Sequence, residues 1–129
     1  MTIAETRPSA VSPAPDTGWQ RICPLDALEP ERGRAALVGS TQVALFLTHE
    51  GHVYAVSNHD PYSGAHVMSR GIVGTRGGAP TVASPMYKQV FDLRTGTCLD
   101  TQGKDAHALD VWPVTVRGGD VFLNMEVRE

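Results

Sequence analysis

Short stretches in which apolar and polar residues alternate run along most of the chain, and each ends at a turn signal. Residues 19–23 alternate large and polar side chains, as a half-buried strand does, and Pro24 ends them. Residues 43–48 and 52–56 flank Glu50-Gly51, where Gly51 can take the positive φ that a tight turn needs. The pattern therefore predicts a strand followed by a β-hairpin.

Two further hairpins are predicted in the second half of the chain. Residues 89–93 and 98–99 flank Arg94-Thr95-Gly96, and residues 111–116 and 121–127 flank a Gly-rich turn. Shorter strands are predicted at 35–38 and 81–83, and residues 25–28, between two prolines, can form at most one helical turn. Strands that recur about every 8–12 residues favour an all-β fold, a small barrel or sandwich of antiparallel strands.

Length and composition fit one globular domain. The chain has 129 residues, of which 41% are hydrophobic and 19% charged, enough to build a core. Residues 1–17 show no hydrophobic period and contain Pro8, Pro13 and Pro15, so we expect a disordered tail followed by a domain over residues 18–129. No apolar leader or membrane-spanning run is visible, so a cytoplasmic protein with no membrane partner is expected.

The net charge and the few possible metal-binding side chains limit the partners and the kinds of site that we expect. A net charge of -3 gives no electrostatic reason to expect nucleic acid as a partner. Cys23 and Cys98 are too few for a disulfide scaffold or a thiolate metal cage. The histidines match no zinc motif in their spacing, so we interpret them as turn and surface residues rather than metal ligands: His49, His52, His59, His66 and His107.

Two loops within residues 57–88 differ from the strand-rich remainder. Residues 58–65 read Asn-His-Asp-Pro-Tyr-Ser-Gly-Ala, and residues 83–89 read Ala-Ser-Pro-Met-Tyr-Lys-Gln, followed by Val-Phe-Asp-Leu-Arg-Thr-Gly. This arrangement resembles the Rieske ferredoxin family, which holds a [2Fe–2S] cluster with a Cys-x-His loop and a Cys-x-x-His loop. The resemblance implies a Rieske-like fold in which both loops protrude from the β scaffold.

The same alignment places oxygen-bearing side chains at the four ligand positions: Asp60, Tyr62, Ser84 and Tyr87. Rieske clusters are held by two thiolates on one iron and two imidazoles on the other. Carboxylate, hydroxyl and phenol groups are harder ligands with poor affinity for such a cluster. We therefore expect no cluster, no metal and no catalytic residue here. We also expect both tyrosine rings to fill the vacated volume, with their hydroxyls bonded to Asp60, Ser84 or loop backbone.

A narrower resemblance is to the small subunit of NAD(P)H-dependent nitrite reductase. It extends from about residue 19 to residue 127 and includes Asp-Pro-Tyr-Ser-Gly-Ala at 60–65, Ser-Arg-Gly-Ile-Val-Gly at 69–74 and Ala-Ser-Pro-Met-Tyr-Lys-Gln at 83–89. The resemblance implies a non-catalytic subunit that binds a large subunit carrying FAD, sirohaem and an iron–sulfur cluster. That large subunit reduces nitrite to ammonium in nitrate assimilation. A stand-alone Rieske-type electron-transfer ferredoxin and a generic β-barrel binding module remain the alternatives.

The loop tips are the candidate contact surface for that large subunit. Tyr62, Arg70, Tyr87 and Lys88 are side-chain types suited to an interface, and Tyr and Arg are enriched at binding hot spots. Solvated loop residues or buried packing explain the same residues equally well. Asp60 beside His59 could act in acid–base chemistry, but Asp before Pro is a common turn starter, which is the interpretation we favour.

Overall fold

The computed structural model describes residues 18–126, which form eleven strands and two single-turn 3-10 helices. The predicted tail over residues 1–17 and the end of the last predicted strand lie outside the described residues. The 3-10 helices are Leu25–Ala27 and Met68–Arg70. The strands are β1 Trp19–Pro24, β2 Gly33–Val38, β3 Thr41–Leu47, β4 Val53–Ser57, β5 Ile72–Arg76, β6 Ala79–Ala83, β7 Val90–Asp92, β8 Cys98–Asp100, β9 Val111–Trp112, β10 Val114–Arg117 and β11 Asp120–Asn124.

The strands pair into three antiparallel sheets, in the orders β1-β11-β10, β2-β3-β4-β9 and β5-β6-β7-β8. The three predicted hairpins are present as β3–β4, β7–β8 and β10–β11. The predicted all-β antiparallel fold is confirmed. Within residues 18–126 it takes the form of three sheets with free edges, and none of them closes into a barrel.

Two strand assignments differ from the sequence pattern. The predicted strand over residues 111–116 is divided at Pro113 into β9 and β10, which belong to different sheets. Proline has no backbone N–H for a sheet ladder, so the chain changes sheet there. Strand β5 lies in a Gly-containing stretch for which the sequence pattern predicted no strand. It pairs with β6 along its full length.

Strand β3 lies at the centre of the molecule because both of its faces are covered. Ala44 and Phe46 belong to one apolar cluster, while Val43 and Leu45 belong to a second on the opposite face. All four are fully buried. This explains the continuous apolar run in the sequence, since a strand buried on both faces does not alternate.

The second apolar cluster contains a tryptophan, and the two special loops begin beside the first. Trp112 is buried in the second cluster and Trp19 is half-buried, as their strand patterns predicted. The loop after β4 and the loop after β6 emerge beside the first cluster, which contains Val56, Met68 and Val82. No helix within residues 18–126 is long and apolar enough to cross a membrane.

Candidate functional site

The first loop, residues 58–71, is closed by its own aspartate. The Tyr62 backbone N–H donates to Asp60 Oδ1 at 2.9 Å, and the Gly64 N–H donates to the Asp60 carbonyl at 2.8 Å. Gly64 has a φ of 80°, which a residue with a Cβ rarely adopts. The Asp60 N–H donates to the Ala65 carbonyl at 2.8 Å, which completes a tight turn. The interpretation of Asp60 as a turn starter agrees with these contacts.

The second loop, residues 84–89, is organised in the same way around Ser84. The Ser84 N–H donates to the Gln89 carbonyl at 2.9 Å, and the Lys88 N–H donates to the Ser84 carbonyl at 3.1 Å. The Ser84 hydroxyl oxygen accepts from the Met86 N–H at 3.1 Å. Lys88 has a φ of 67°, an unusual conformation for a residue with a side chain. The geometry turns Met86, Tyr87 and Lys88 toward solvent.

The two loops are joined by a buried hydrogen bond. The Ser84 hydroxyl donates to Asp60 Oδ2 at 2.6 Å, and the Ser63 hydroxyl donates to the same oxygen at 3.0 Å. Asp60 is completely buried and Ser84 is 2% exposed. With the Tyr62 N–H on Oδ1, the carboxylate accepts three hydrogen bonds, which offsets much of the cost of burying it.

Tyr62 extends from the first loop to a third loop, residues 101–110. Its hydroxyl donates to the Asp105 carbonyl at 2.7 Å and accepts from the His107 N–H at 3.0 Å. Its ring packs at 6.1 Å from the Phe91 ring and edge-on at 5.2 Å from the His107 ring. Burial raises the pKa of the Tyr62 phenol, as does its contact with the Cys98 thiol at 3.6 Å. Tyr62 therefore fills space beside the core, as expected, and its backbone partners lie in a loop that the sequence did not single out.

Tyr87 behaves differently from Tyr62. Its side chain is 51% exposed, so the expectation that both tyrosine rings fill the volume between the loops is wrong for Tyr87. Since Lys88 takes a left-handed conformation directly after it, the chain turns back toward the core at Gln89 and leaves the Tyr87 ring at the tip. Tyr87 is consequently a surface residue at the apex of the second loop.

Two large apolar side chains are exposed in or directly after the two loops. Ile72 is 74% exposed and Met86 is 46% exposed, which are high values for large apolar side chains. Arg70 and Lys88 are exposed on the same two loop regions. Sequence reasoning identified Arg70, Tyr87 and Lys88 and missed Ile72 and Met86, because an isolated apolar residue outside a strand or helix pattern gives no signal of its exposure.

Comparison with known proteins identifies the family. The family described as the Rieske-like [2Fe-2S] domain matches residues 18–124 of this chain. The chain belongs to the Rieske-like domain family. This confirms the fold that the two loops predicted.

Within the Rieske-like family, the chain resembles nitrite reductase small subunits. It is 42% identical over 85 residues to the nitrite reductase (NADH) small subunit of Escherichia coli K12, covering 65% of this chain and 79% of that protein. A crystal structure of a putative NADH-dependent nitrite reductase small subunit from Mycobacterium tuberculosis superimposes with a TM-score of 0.75 at 46% identity. That match covers 81% of this chain and 92% of the other.

One relative is a much longer protein. The chain is 43% identical over 109 residues to the nitrite reductase [NAD(P)H] large subunit of Klebsiella oxytoca. The match covers 84% of this chain and 11% of the Klebsiella protein, so this chain spans about a tenth of that relative's length.

The loops of this Rieske-like domain do not fit a [2Fe–2S] cluster. Two ligands that share one tetrahedral metal ion at about 2.0–2.3 Å stand roughly 3.3–3.8 Å apart. The oxygens of Asp60 and Ser84, at the positions predicted to match the two thiolates, are 2.6 Å apart and joined by a hydrogen bond. The Tyr62 hydroxyl is engaged with the third loop, and Tyr87 is exposed at the tip. All four side chains are therefore harder ligands than the cluster requires, and Asp60, Tyr62 and Ser84 already make hydrogen bonds to other groups of the protein.

The remaining candidate ligands do not converge on the loops. His59 and His66 face each other with ring centroids 5.3 Å apart at the base of the first loop, both exposed. His49 and His52 lie exposed at the β3–β4 turn. Across residues 18–126, no three His, Cys, Asp or Glu side chains are grouped so that they could hold a metal ion.

A buried amide near the loops is a feature that sequence reasoning missed. The Gln89 side chain is completely buried, and neither its nitrogen nor its oxygen has a hydrogen-bond partner among the described residues. A buried amide without partners is costly, so it is rare in folded proteins. Nothing in the residue pattern signals it, since Gln89 sits where the loop meets β7 and a polar residue is ordinary there.

Proposed function

We propose that this chain is the non-catalytic small subunit of an NAD(P)H-dependent nitrite reductase, in which it binds and supports the large subunit. The observation that carries the proposal is the similarity to the Escherichia coli small subunit at 42% identity over 79% of that protein's length. Proteins with this degree of similarity over most of their length share a fold and, in most cases, a surface for the same kind of partner.

The Klebsiella relative supports a direct partnership. A protein named as a large subunit contains, within one polypeptide, a region 43% identical to this chain. Domains joined in one polypeptide contact each other through surfaces like those of separate subunits. We therefore infer that this chain and its large subunit form the same contact as two separate polypeptides.

The chemistry of the loops favours a role in which this chain stabilises the large subunit and does not carry electrons. The positions that the motifs align with the Rieske ligands carry Asp60, Tyr62, Ser84 and Tyr87, which supply neither a thiolate nor an imidazole for iron. We assign FAD, sirohaem and the iron–sulfur cluster of the enzyme to the large subunit, which would reduce nitrite to ammonium in nitrate assimilation. We place the assembled enzyme in the cytoplasm, where NAD(P)H is supplied.

The proposed contact surface for the large subunit includes the loop tips. Arg70, Tyr87 and Lys88 are exposed there, and Tyr62 is half-buried and holds the first loop in shape through its bonds to the third loop. The exposed apolar side chain of Met86 extends this surface. Apolar and aromatic groups rimmed by basic side chains have the composition of a binding patch.

Co-expression tests the partnership. The chain is produced with a purification tag together with the untagged large subunit from the same organism, and the purified material is analysed by size exclusion and nitrite-dependent NAD(P)H oxidation. We expect a stoichiometric complex whose activity or half-life at 37 °C exceeds that of the large subunit alone. Recovery of the tagged chain without the large subunit would overturn the proposal.

Reconstitution tests the absence of a cluster. The purified chain is incubated anaerobically with ferrous iron and sulfide, desalted and examined by visible absorbance. We expect no iron–sulfur bands from the natural chain, whereas a variant with Asp60→Cys, Tyr62→His, Ser84→Cys and Tyr87→His should acquire them. Bands from the natural chain would favour the ferredoxin alternative.

A further inference from the structure

Strand β2 is the longest sheet edge without a bulge or a proline among the described residues. The six edge strands are β1 and β10, β2 and β9, and β5 and β8. β2 pairs with β3 in continuous register over all six of its residues and contains neither a bulge nor a proline. Strand β1 has a bulge and ends in Pro24, and β8 and β9 have only three and two residues. Proteins usually block long regular edges, since unpaired N–H and C=O groups recruit further strands.

The outer edge of β2 faces an open groove beside β1. The groove has a volume of about 370 Å³, and its apolar lining includes Ile22, Val38 and Leu45. Leu37, on β2, is 71% exposed although it is a large apolar residue in a strand. A large apolar side chain exposed on a regular sheet edge indicates a surface that binds a partner.

The charged residues that line the groove are arginines, in a chain of negative net charge. Arg21 and Arg34 line it, and no Asp or Glu is among the described residues that do so. Arg34 donates to the Ala27 carbonyl at 3.1 Å, while Arg21 is paired with Asp120 at 2.9 Å. Burial raises the pKa of the Cys23 thiol, and the nearby guanidiniums of Arg34 and Arg21 oppose that shift. Since Arg21 is already paired with Asp120, Arg34, which bonds to a neutral carbonyl, is the cation that favours an occupant carrying a carboxylate.

We propose that β2 is a strand-addition site for an extended acidic segment of the large subunit. This inference rests on the proposed function and specifies how the partner is held. Main-chain groups of the segment would pair with the free edge of β2, an apolar side chain would cover Leu37, and a carboxylate would meet the Arg34 guanidinium. Edge pairing supplies affinity and the alternate side chains supply specificity.

The position of β2 joins this edge to the loop surface. Gly33, its first residue, is packed so closely against the Ser69 carbonyl and the Phe46 ring that a Cβ would collide with both. Arg70 follows Ser69 directly and is exposed. One partner can therefore contact the Arg70 region and continue along β2.

Two other occupants are less suited to the edge. A second copy paired through β2 would present a groove that is also lined by Arg34 and by no Asp or Glu of the described residues. Residues 1–17 of this chain include Pro8, Pro13 and Pro15, which have no N–H for a ladder. An acidic segment of the large subunit would supply a carboxylate for Arg34, and it need not contain prolines that interrupt the ladder.

Amide hydrogen exchange of the complex tests the proposal. Exchange is followed by mass spectrometry in the isolated chain and in the purified complex with the large subunit, using peptides that cover residues 33–38. We expect exchange across these residues to slow at least tenfold in the complex. We also expect Arg34→Glu to raise the Kd for the large subunit at least tenfold, while Arg32→Glu, a nearby exposed control, changes it less than twofold.

Each other outcome overturns the inference in a distinguishable way. Complex formation with slower exchange only at the loop tips would leave the proposed function standing and refute strand addition. Failure to form a complex would refute both. Protection of residues 33–38 that grows with the concentration of the isolated chain would identify a second copy as the occupant. Protection lost when residues 1–17 are deleted would identify the tail.

Discussion

Replacing Ser84 with alanine removes the hydroxyl that joins the two loops. In the folded chain this hydroxyl donates to Asp60 Oδ2 at 2.6 Å, between two residues that are 0% and 2% exposed. The variant leaves the carboxylate with the Ser63 hydroxyl and the Tyr62 N–H as its remaining donors. It also leaves the Met86 N–H without its acceptor.

The cost follows from the burial of this bond. A hydrogen bond to a charged group contributes about 1.5–3 kcal/mol, and water cannot easily replace the lost donor at a buried site. We expect Ser84→Ala to lower the free energy of unfolding by about 2–3 kcal/mol, which corresponds to a fall in Tm of roughly 6–12 °C for a domain of this size. Urea denaturation followed by tryptophan fluorescence measures the difference directly.

Ser63→Ala is the matched control. Ser63 donates to the same carboxylate oxygen at 3.0 Å but is half-buried, so water can take its place, and we expect a loss of about 1 kcal/mol or less. In a chain that already carries Asp60→Ala, Ser84→Ala should cost at least about 1 kcal/mol less than in the natural chain, because its partner is gone. A loss below about 0.5 kcal/mol in the natural background, or an equal loss for Ser63→Ala, would refute the reasoning.

Three further changes test other parts of the structure. Gln89→Met replaces a buried amide that lacks partners in the described region, so we expect the free energy of unfolding to rise by about 1 kcal/mol. A clear decrease in that free energy, measured by urea denaturation, would show that the amide has a partner. The side-chain hydrogen bond from Arg94 holds the pKa of Asp92 below its ordinary value, so its contribution is present above about pH 4 and is lost as pH falls through the folded pKa. Arg94→Gln should therefore raise the pKa of Asp92 in a carboxyl NMR titration, and an unchanged titration would contradict the ion pair. Gly96→Ala should destabilise the domain by about 2 kcal/mol or more in thermal unfolding, because Gly96 has a φ of 78° and a Cβ would strike the Leu109 carbonyl; an unaltered Tm would contradict this close packing.

The sequence alone determined the fold class and the family. Turn glycines such as Gly51 and the alternating strands around them depend on local backbone geometry, which the residue order fixes directly. The loop motifs predicted that Asp60 and Ser84 stand at the thiolate positions, because motif spacing sets the alignment without any knowledge of contacts. The family match over residues 18–124 and the antiparallel sheets agree with those predictions.

Tertiary structure decided how those residues are used. Asp60 and Ser84 are 24 positions apart, and only packing of the two loops shows that their oxygens bond to each other. Tyr62 and Tyr87 are alike in the motif, yet one packs against the core while the other lies exposed at a tip, because the third loop supplies partners to Tyr62. The open edge of β2 likewise depends on which strands pair, a long-range outcome of burial that local patterns do not specify.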